Sequence, residues 1–326
     1  MTSRHFCTYF DHHYLPRGTV MLESLHEHYP EAHVHVLCLS EECRAAMEKT
    51  VRPHVSLLNL PDLEKADPGL AAAKPTRSQV EYYFTLTPCL PWHLLTRRGL
   101  GEVTYLDADM LFFSSPEPLF TEAGDSSVVI TPHRFPPRLK KLEVHGKYNV
   151  SWLTFRNTDS GLSCLSWYRK SCLEWCRDAV EETRFADQKY LDVFPEKFSG
   201  VHVMRHLGGG LAPWNLDYAR LAETGETFFV GGEPLIFYHA QGMKHIMGPF
   251  YSSGLMGHAT DLSDPVAEKI LRRYIRAYAE AAAIARQLTT TVNFSGIRIT
   301  QKKRFARLRN IKRILSELRH KSLVWL

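Results

Sequence analysis

Two carboxylates one residue apart interrupt an otherwise apolar run, Thr104-Tyr105-Leu106-Asp107-Ala108-Asp109-Met110-Leu111-Phe112-Phe113. Carboxylates are seldom fully buried unless they are paired or hold a metal, and Asp disfavours strand interiors. The pattern predicts buried strands over 103–106 and 110–113, with the Asp pair where a central strand ends. Residues two apart in extended chain face the same side, so both carboxylates can address one point. A hard divalent cation, Mg²⁺ or Mn²⁺, suits such oxygen ligands and keeps positions for substrate phosphates. A capping pair at a strand–loop junction is the alternative for the triplet alone.

A metal held by Asp107 and Asp109 calls for a further ligand. The segment Phe237-Tyr238-His239-Ala240-Gln241-Gly242-Met243-Lys244 offers one. His239 follows a strand pattern and supplies an imidazole. Gly242 lets the backbone approach a ligand closely, and Lys244 supplies a cation for phosphate oxygens.

These residues need elements to hold them. Strand patterns at 6–9, 33–39 and 55–60 alternate with helical patterns at 16–29 and 41–49, and a helix over 78–95 is expected to break near Pro88 and Pro91. This order predicts an α/β fold with a mostly parallel sheet, whose ligands bind beyond the carboxyl ends of the strands. Further strands are expected at 127–131, 149–155, 201–204 and 235–238, with helices at 160–181 and 264–288. The stretch 207–215 contains Gly208-Gly209-Gly210 and reads as a flexible loop, without the strand–loop–helix context of a phosphate cradle. Trp214 in it is the best candidate for stacking on a sugar. Trp167 and Trp175 read as helix packing residues.

The bulk composition is that of a globular chain with a substantial core: 326 residues, 44% hydrophobic and 23% charged. Its seven cysteines form no C-x-x-C pair, and no targeting segment or apolar run long enough to span a membrane is visible, which predicts reduced thiols in a cytoplasmic protein. Cys172 and Cys176 read as core residues. The net charge of +5 is uneven: residues 298–326 hold ten Lys or Arg against one acid, Glu317. Phe305, Leu308, Ile311, Ile314, Leu315 and Leu318 recur there at helical spacing. A basic amphipathic helix with Trp325 at its end suggests peripheral contact with an anionic membrane surface or a partner helix; a solvated terminal helix is the alternative. No nucleic acid partner is expected.

The chain resembles glycosyltransferase family 8, which includes glycogenin and lipopolysaccharide galactosyltransferases. The resemblance rests on four stretches, in order, from residue 6 to about 250. They are Phe6-Cys7-Thr8-Tyr9-Phe10-Asp11-His12-His13-Tyr14; Val103 through Asp109 with 116–120 behind it; Tyr148-Asn149-Val150 with Ala186-Asp187-Gln188; and His-x-x-Gly-x-Lys at 239–244. The resemblance implies a single nucleotide-sugar-binding, Rossmann-like domain of GT-A type with a mixed, mostly parallel sheet. Residues 1–260 would form it, 1–115 as the nucleotide-binding half and 116–260 as the acceptor-binding half. Residues 261–326 would be a helical, basic extension.

The resemblance further implies Mn²⁺ (or Mg²⁺) on Asp107, Asp109 and His239, bridging the diphosphate of a donor, UDP-sugar foremost. Gly242 and Lys244 would meet the distal phosphate. Tyr9, Asp11 and Tyr14 would contact base and ribose, with Arg77 and Ala108 in the same donor-binding set. Asn149, Asp187 and Gln188 would be the catalytic group lining sugar and acceptor, Asp187 as a positioning carboxylate. The implied reaction is hexosyl transfer with retention to a glycan or lipid-linked glycan, as in polysaccharide or lipopolysaccharide assembly. The alternatives are a weakly active or inactive nucleotide- or glycan-binding protein, and a sugar nucleotidyltransferase. The latter lacks its Gly-rich basic loop at 10–16.

Overall fold

The computed structural model describes residues 4–50, 52–291, 294 and 303–326. Arg298 and Lys302 of the basic segment, and the side chain of Phe305, lie outside the described residues. The chain forms two compact units, each assembled from non-consecutive segments.

The first unit comprises Met1–Tyr9, Tyr29–Asp107 and Pro116–His206. A seven-stranded sheet runs through it in the order Val55–Asn59, His33–Cys38, His5–Phe10, Glu102–Leu106, Tyr148–Arg156, Val128–Pro132, Val201–Val203. Tyr148–Arg156 is antiparallel to both its neighbours. His33–Cys38 is parallel to Val55–Asn59, Glu102–Leu106 to His5–Phe10, and Val128–Pro132 to Val201–Val203. This is the α/β architecture with a mixed, mostly parallel sheet that the alternating pattern predicts. Strands buried on both faces read as continuous apolar runs, and Val103, Tyr105 and Leu106 are all buried.

Two helices of this unit depart from expectation. The helix Gln79–Arg97 runs unbroken through Pro88 and Pro91. A capping box of Ser78 and Glu81 starts it, and Tyr82, Leu86, Cys89, Leu90, Leu94 and Leu95 are buried in the core. Each proline removes one helical hydrogen bond, and the burial of that stripe outweighs the loss. The helix expected over 160–181 is shorter, Asp159–Glu174. Arg77 donates to the carbonyl oxygens of Cys172 and Leu173 at its end, and Tyr190 donates to that of Trp175. All seven cysteines are buried free thiols.

The second unit comprises Phe10–His28, Ala108–Ser115 and Leu207–Leu326. The helix Leu15–His28 packs against the helix Pro265–Leu288, which Asp264 caps through the N–H groups of Val266 and Ala267. Three small sheets complete the unit. One joins Met110–Phe112, Phe237–His239 and Gly209–Leu211. Another joins Leu221–Thr224, Thr227–Val230 and Glu233–Pro234. The third joins Lys244–Met247, Phe250–Ser252 and Leu323–Trp325. The triple-Gly stretch is thus partly a buried strand rather than a flexible loop. Asn215 holds it, accepting from Ala212 N–H and donating to Gly210 C=O. The basic tail is helical over Lys303–Arg319, as its periodicity predicts, but then turns into a strand. Among the described residues no helix is long and apolar enough to cross a membrane.

Candidate metal and donor site

Asp107 leaves the end of the strand Glu102–Leu106, where Tyr105 Oη donates to its Oδ1 at 3.0 Å and its own N–H donates to Ser151 C=O at 3.1 Å. Asp109 directly precedes the strand Met110–Phe112. That strand lies antiparallel to Phe237–His239, with Met110 opposite His239, and Ala240 N–H closes the ladder on Asp109 C=O at 2.8 Å. The register places His239 Nε2 3.1 Å from Asp109 Oδ1. One ligand atom from each of Asp107, Asp109 and His239 lies within 4.8 Å of the others, the one such group among the described residues.

This donor set fits a divalent cation. Two carboxylates and an imidazole match the ligand preferences of Mn²⁺ and Mg²⁺. Neighbouring ligands about 2.1 Å from such an ion stand roughly 3 Å apart, the separation already held by Asp109 and His239. Burial by itself raises the Asp109 carboxyl. The His239 imidazole and the charge of Arg17 more than offset this and hold it below the ordinary carboxylate range. Asp109 is therefore poised as an anion although it is buried.

Arg17 is a residue that sequence reasoning missed. It is 2% exposed, donates to Met243 C=O at 2.9 Å and Phe294 C=O at 3.1 Å, and stacks over Tyr14 and Tyr278. It fastens the turn between His239 and Lys244. Its only signal in the sequence is an Arg among the apolar positions of the first helix. Gly242 in that turn has φ +77°, which only glycine adopts without strain. Gly254 has φ +87°, and a Cβ there would lie 2.4 Å from Gln241 C=O. Lys244 is half-buried and has no carboxylate partner among the described residues. Burial lowers its pKa, and Arg313 and Arg17 lower it further. Such a cation is better placed beside an anion.

The other expected residues fall into separate groups. Asp11 is buried, accepting from His13 N–H and Tyr14 N–H at the entry to the first helix, and Tyr14 lies on Arg17. Tyr9 is tied to Thr87 Oγ1 at 2.9 Å and packs on Tyr105. Burial and then Asp187 push its phenol far above the usual range. Asn149 Nδ2 donates to Gln188 Oε1 at 3.2 Å, and its Oδ1 accepts from Ser151 N–H. Gln188 Nε2 donates to His145 C=O. Asp187 is 2% exposed, and its Oδ2 has no hydrogen-bond partner among the described residues. Burial, with Asp107 adding to it, pushes its carboxyl up to about 7. Ala108 is buried in the Asp turn. Arg77 is occupied at the helix end described above. Trp214 is 3% exposed and T-shaped against His239, ring centroids 5.6 Å apart, so it backs the imidazole and is not presented for stacking on a sugar. Trp167 packs against Tyr190, Phe194 and Phe198.

The fold is that of the glycosyltransferases. The crystal structure of the galactosyltransferase LgtC in complex with donor and acceptor sugar analogs aligns with a TM-score of 0.53 at 17% identity, over 85% of this chain and 95% of LgtC. A second LgtC structure, an active-site mutant, gives a TM-score of 0.51 at 16% identity. By sequence the chain belongs to one family with two proteins of Bacillus subtilis (strain 168), the uncharacterized proteins YfnD and YfnF. It is 30% identical to YfnD over 246 residues, 78% of that protein, and 30% identical to YfnF over 253 residues, 82% of that protein. No family model matches the chain.

Proposed function

We propose that this chain is a metal-dependent glycosyltransferase of the family 8 type. It moves a hexosyl group from a nucleotide-diphosphate sugar, UDP-sugar foremost, to a glycan or lipid-linked glycan with retention of configuration. The observation that carries the reading is the convergence of Asp107, Asp109 and His239 at strand ends of a glycosyltransferase fold. These three residues would hold Mn²⁺ (or Mg²⁺), which supplies charge to stabilise the departing diphosphate.

The chain's own residues support the rest. Arg17 and the ladder from Asp109 to Ala240 keep the ligand set preformed, so little reorganisation accompanies bond breaking. Lys244 meets the distal phosphate, whose negative charge opposes the lowering of its pKa by burial, Arg313 and Arg17. Tyr9, Asp11, Tyr14 and Ala108 border the nucleoside. Asn149, Gln188 and Asp187 orient the sugar and acceptor. Retention then needs no dedicated base, because the leaving phosphate can take the acceptor's proton. An acceptor carried on lipid would place the enzyme at the cytoplasmic face of a membrane, on an anionic surface met by residues 298–326.

A thermal-shift panel of UDP, GDP, ADP and CDP and their sugars, with and without Mn²⁺, tests the reading on the wild type and Asp109→Ala. The expected result is stabilisation by one nucleotide class that requires both Mn²⁺ and Asp109, by mass action on the folded state. Stabilisation by no nucleotide would leave the Asp pair as a structural feature and sink the proposal.

A further inference from the structure

The strands Lys244–Met247 and Phe250–Ser252 run antiparallel, with Lys244 directly opposite Ser252. Residues paired in this way present their side chains on one face of the sheet, about 5 Å apart at Cβ. The helix Lys303–Arg319 packs on these two strands, and Asn310 ties it down by donating to Ile246 C=O at 3.2 Å. Arg313, about one turn further along the helix, donates to Ser252 Oγ at 3.3 Å. The guanidinium of Arg313 and the ammonium of Lys244 therefore share one face of the sheet, with Ser252 as their common neighbour.

Two half-buried cations on one face repel each other, and what surrounds them leaves them with capacity to spare. Ser252 is neutral and 1% exposed. Glu317 is fully buried, accepts from the hydroxyls of Ser252 and Ser322, and stands 3.6 Å from Arg313 Nε, too far for a hydrogen bond. Arg313 Nε has no hydrogen-bond partner among the described residues, and Lys244 has no carboxylate partner there. Arg17 adds a third positive charge to the field at Lys244. The acid in reach of Arg17 is Asp109, one of the three candidate metal ligands. Oxygens of a phosphate relieve such repulsion, since Arg offers them directed N–H groups and Lys a point charge. We propose, on the donor-site reading above, that Arg313 is a second cation of that site, joining Lys244 on the distal phosphate of the nucleotide-diphosphate sugar, so that the C-terminal helix completes the pocket.

Inorganic pyrophosphate tests this, because it carries the diphosphate without a base or a sugar. It is titrated calorimetrically into the full chain with Mn²⁺ present. The wild type should bind and Asp109→Ala should not; a wild type that does not bind overturns the donor-site reading and Arg313's part in it together. With wild-type binding in hand, Arg313→Gln should weaken it at least about tenfold, the effect of losing one charge-assisted hydrogen bond. Lys312→Gln removes a charge from an exposed position on the same helix and should change the affinity by less than about twofold. Mn²⁺ titrated alone separates charge from scaffolding. Arg313→Gln should bind the bare ion as tightly as the wild type or more tightly, because a repelling cation has gone. If melting curves show that Arg313→Gln does not fold, Arg313→Lys, which keeps a positive charge near Glu317, carries the same comparison: weaker pyrophosphate binding with Mn²⁺ binding unchanged. Pyrophosphate affinity equal to that of the wild type in the folded variant overturns the role of Arg313 and leaves the donor-site reading intact. An equal loss of affinity for bare Mn²⁺ and for pyrophosphate also overturns it, since a helix that only props the site would give that result.

Discussion

At the residue scale, Asp187 makes the sharpest statement. A buried carboxyl with an unpartnered oxygen and a second carboxylate, Asp107, in electrostatic reach holds its proton up to about pH 7, against an ordinary value of 3.8. The sign of the consequence follows from linkage. Between those values the folded chain keeps a proton that the unfolded chain has released, so stability from this group falls as pH rises through the window. At roughly 1.4 kcal/mol per pH unit, the full penalty approaches about 4 kcal/mol above pH 7. Asp187→Asn keeps the shape and removes the titration. In metal-free protein its urea midpoint should exceed that of the wild type increasingly from pH 5 to pH 8. A gap that stays constant over that range would mean that Asp187 ionises as an ordinary surface carboxylate. In the enzyme proposed here, the same high pKa would let Asp187 donate a hydrogen bond to a sugar hydroxyl at neutral pH.

At the scale of elements, the ligand turn depends on two glycines for different reasons. Gly242 needs its positive φ, but a Cβ there would meet only Gly254 Cα at 3.6 Å, an ordinary contact. Gly254→Ala would force a methyl group into the backbone of 241–243. Gly242→Ala should therefore cost about 1–2 kcal/mol of stability and weaken Mn²⁺-dependent nucleotide binding less than Gly254→Ala does. Gly254→Ala should lose that binding at least tenfold, read by calorimetry against a melting curve that confirms folding. Equal binding by both variants would show that the turn does not set the site. The contrast also marks how far sequence reading reaches. Asp107 and Asp109 stand out because charge between apolar strands demands a physical reason, and His239 because it ends a strand. The first five elements and the helix Pro265–Leu288 follow from apolar period alone. Gly254 and Arg17 act through approaches between segments far apart in the chain, and nothing local distinguishes them. Pro88 and Pro91 read as breakers because the sequence does not reveal how much apolar surface their helix buries. Trp214 read as a stacking platform because an aromatic in a Gly-rich stretch gives no sign that the stretch is a buried strand.

At the scale of the whole molecule, the chain order of the two units decides what can be cut. The second unit takes Phe10–His28 and Ala108–Ser115 from the first half of the chain and the rest from beyond residue 206. Within it, the helix Pro265–Leu288 lies on Leu15–His28 and buries Ile270, Leu271, Tyr274, Ile275 and Tyr278. Each such side chain contributes about 1.5–3 kcal/mol by leaving water, so the five together are worth roughly 10 kcal/mol, as much as the net stability of a typical domain. Tyr278 also supports Arg17, which holds the turn that carries Gly242 and Lys244. A chain ended at residue 260 should consequently fail to fold cooperatively: its near-ultraviolet circular dichroism should be weak and its denaturant transition broad or absent. If residues 1–260 instead unfold in one sharp transition and bind Mn²⁺ and nucleotide as the full chain does, they form a self-sufficient glycosyltransferase domain. The last 66 residues would then be an extension free to serve the membrane alone.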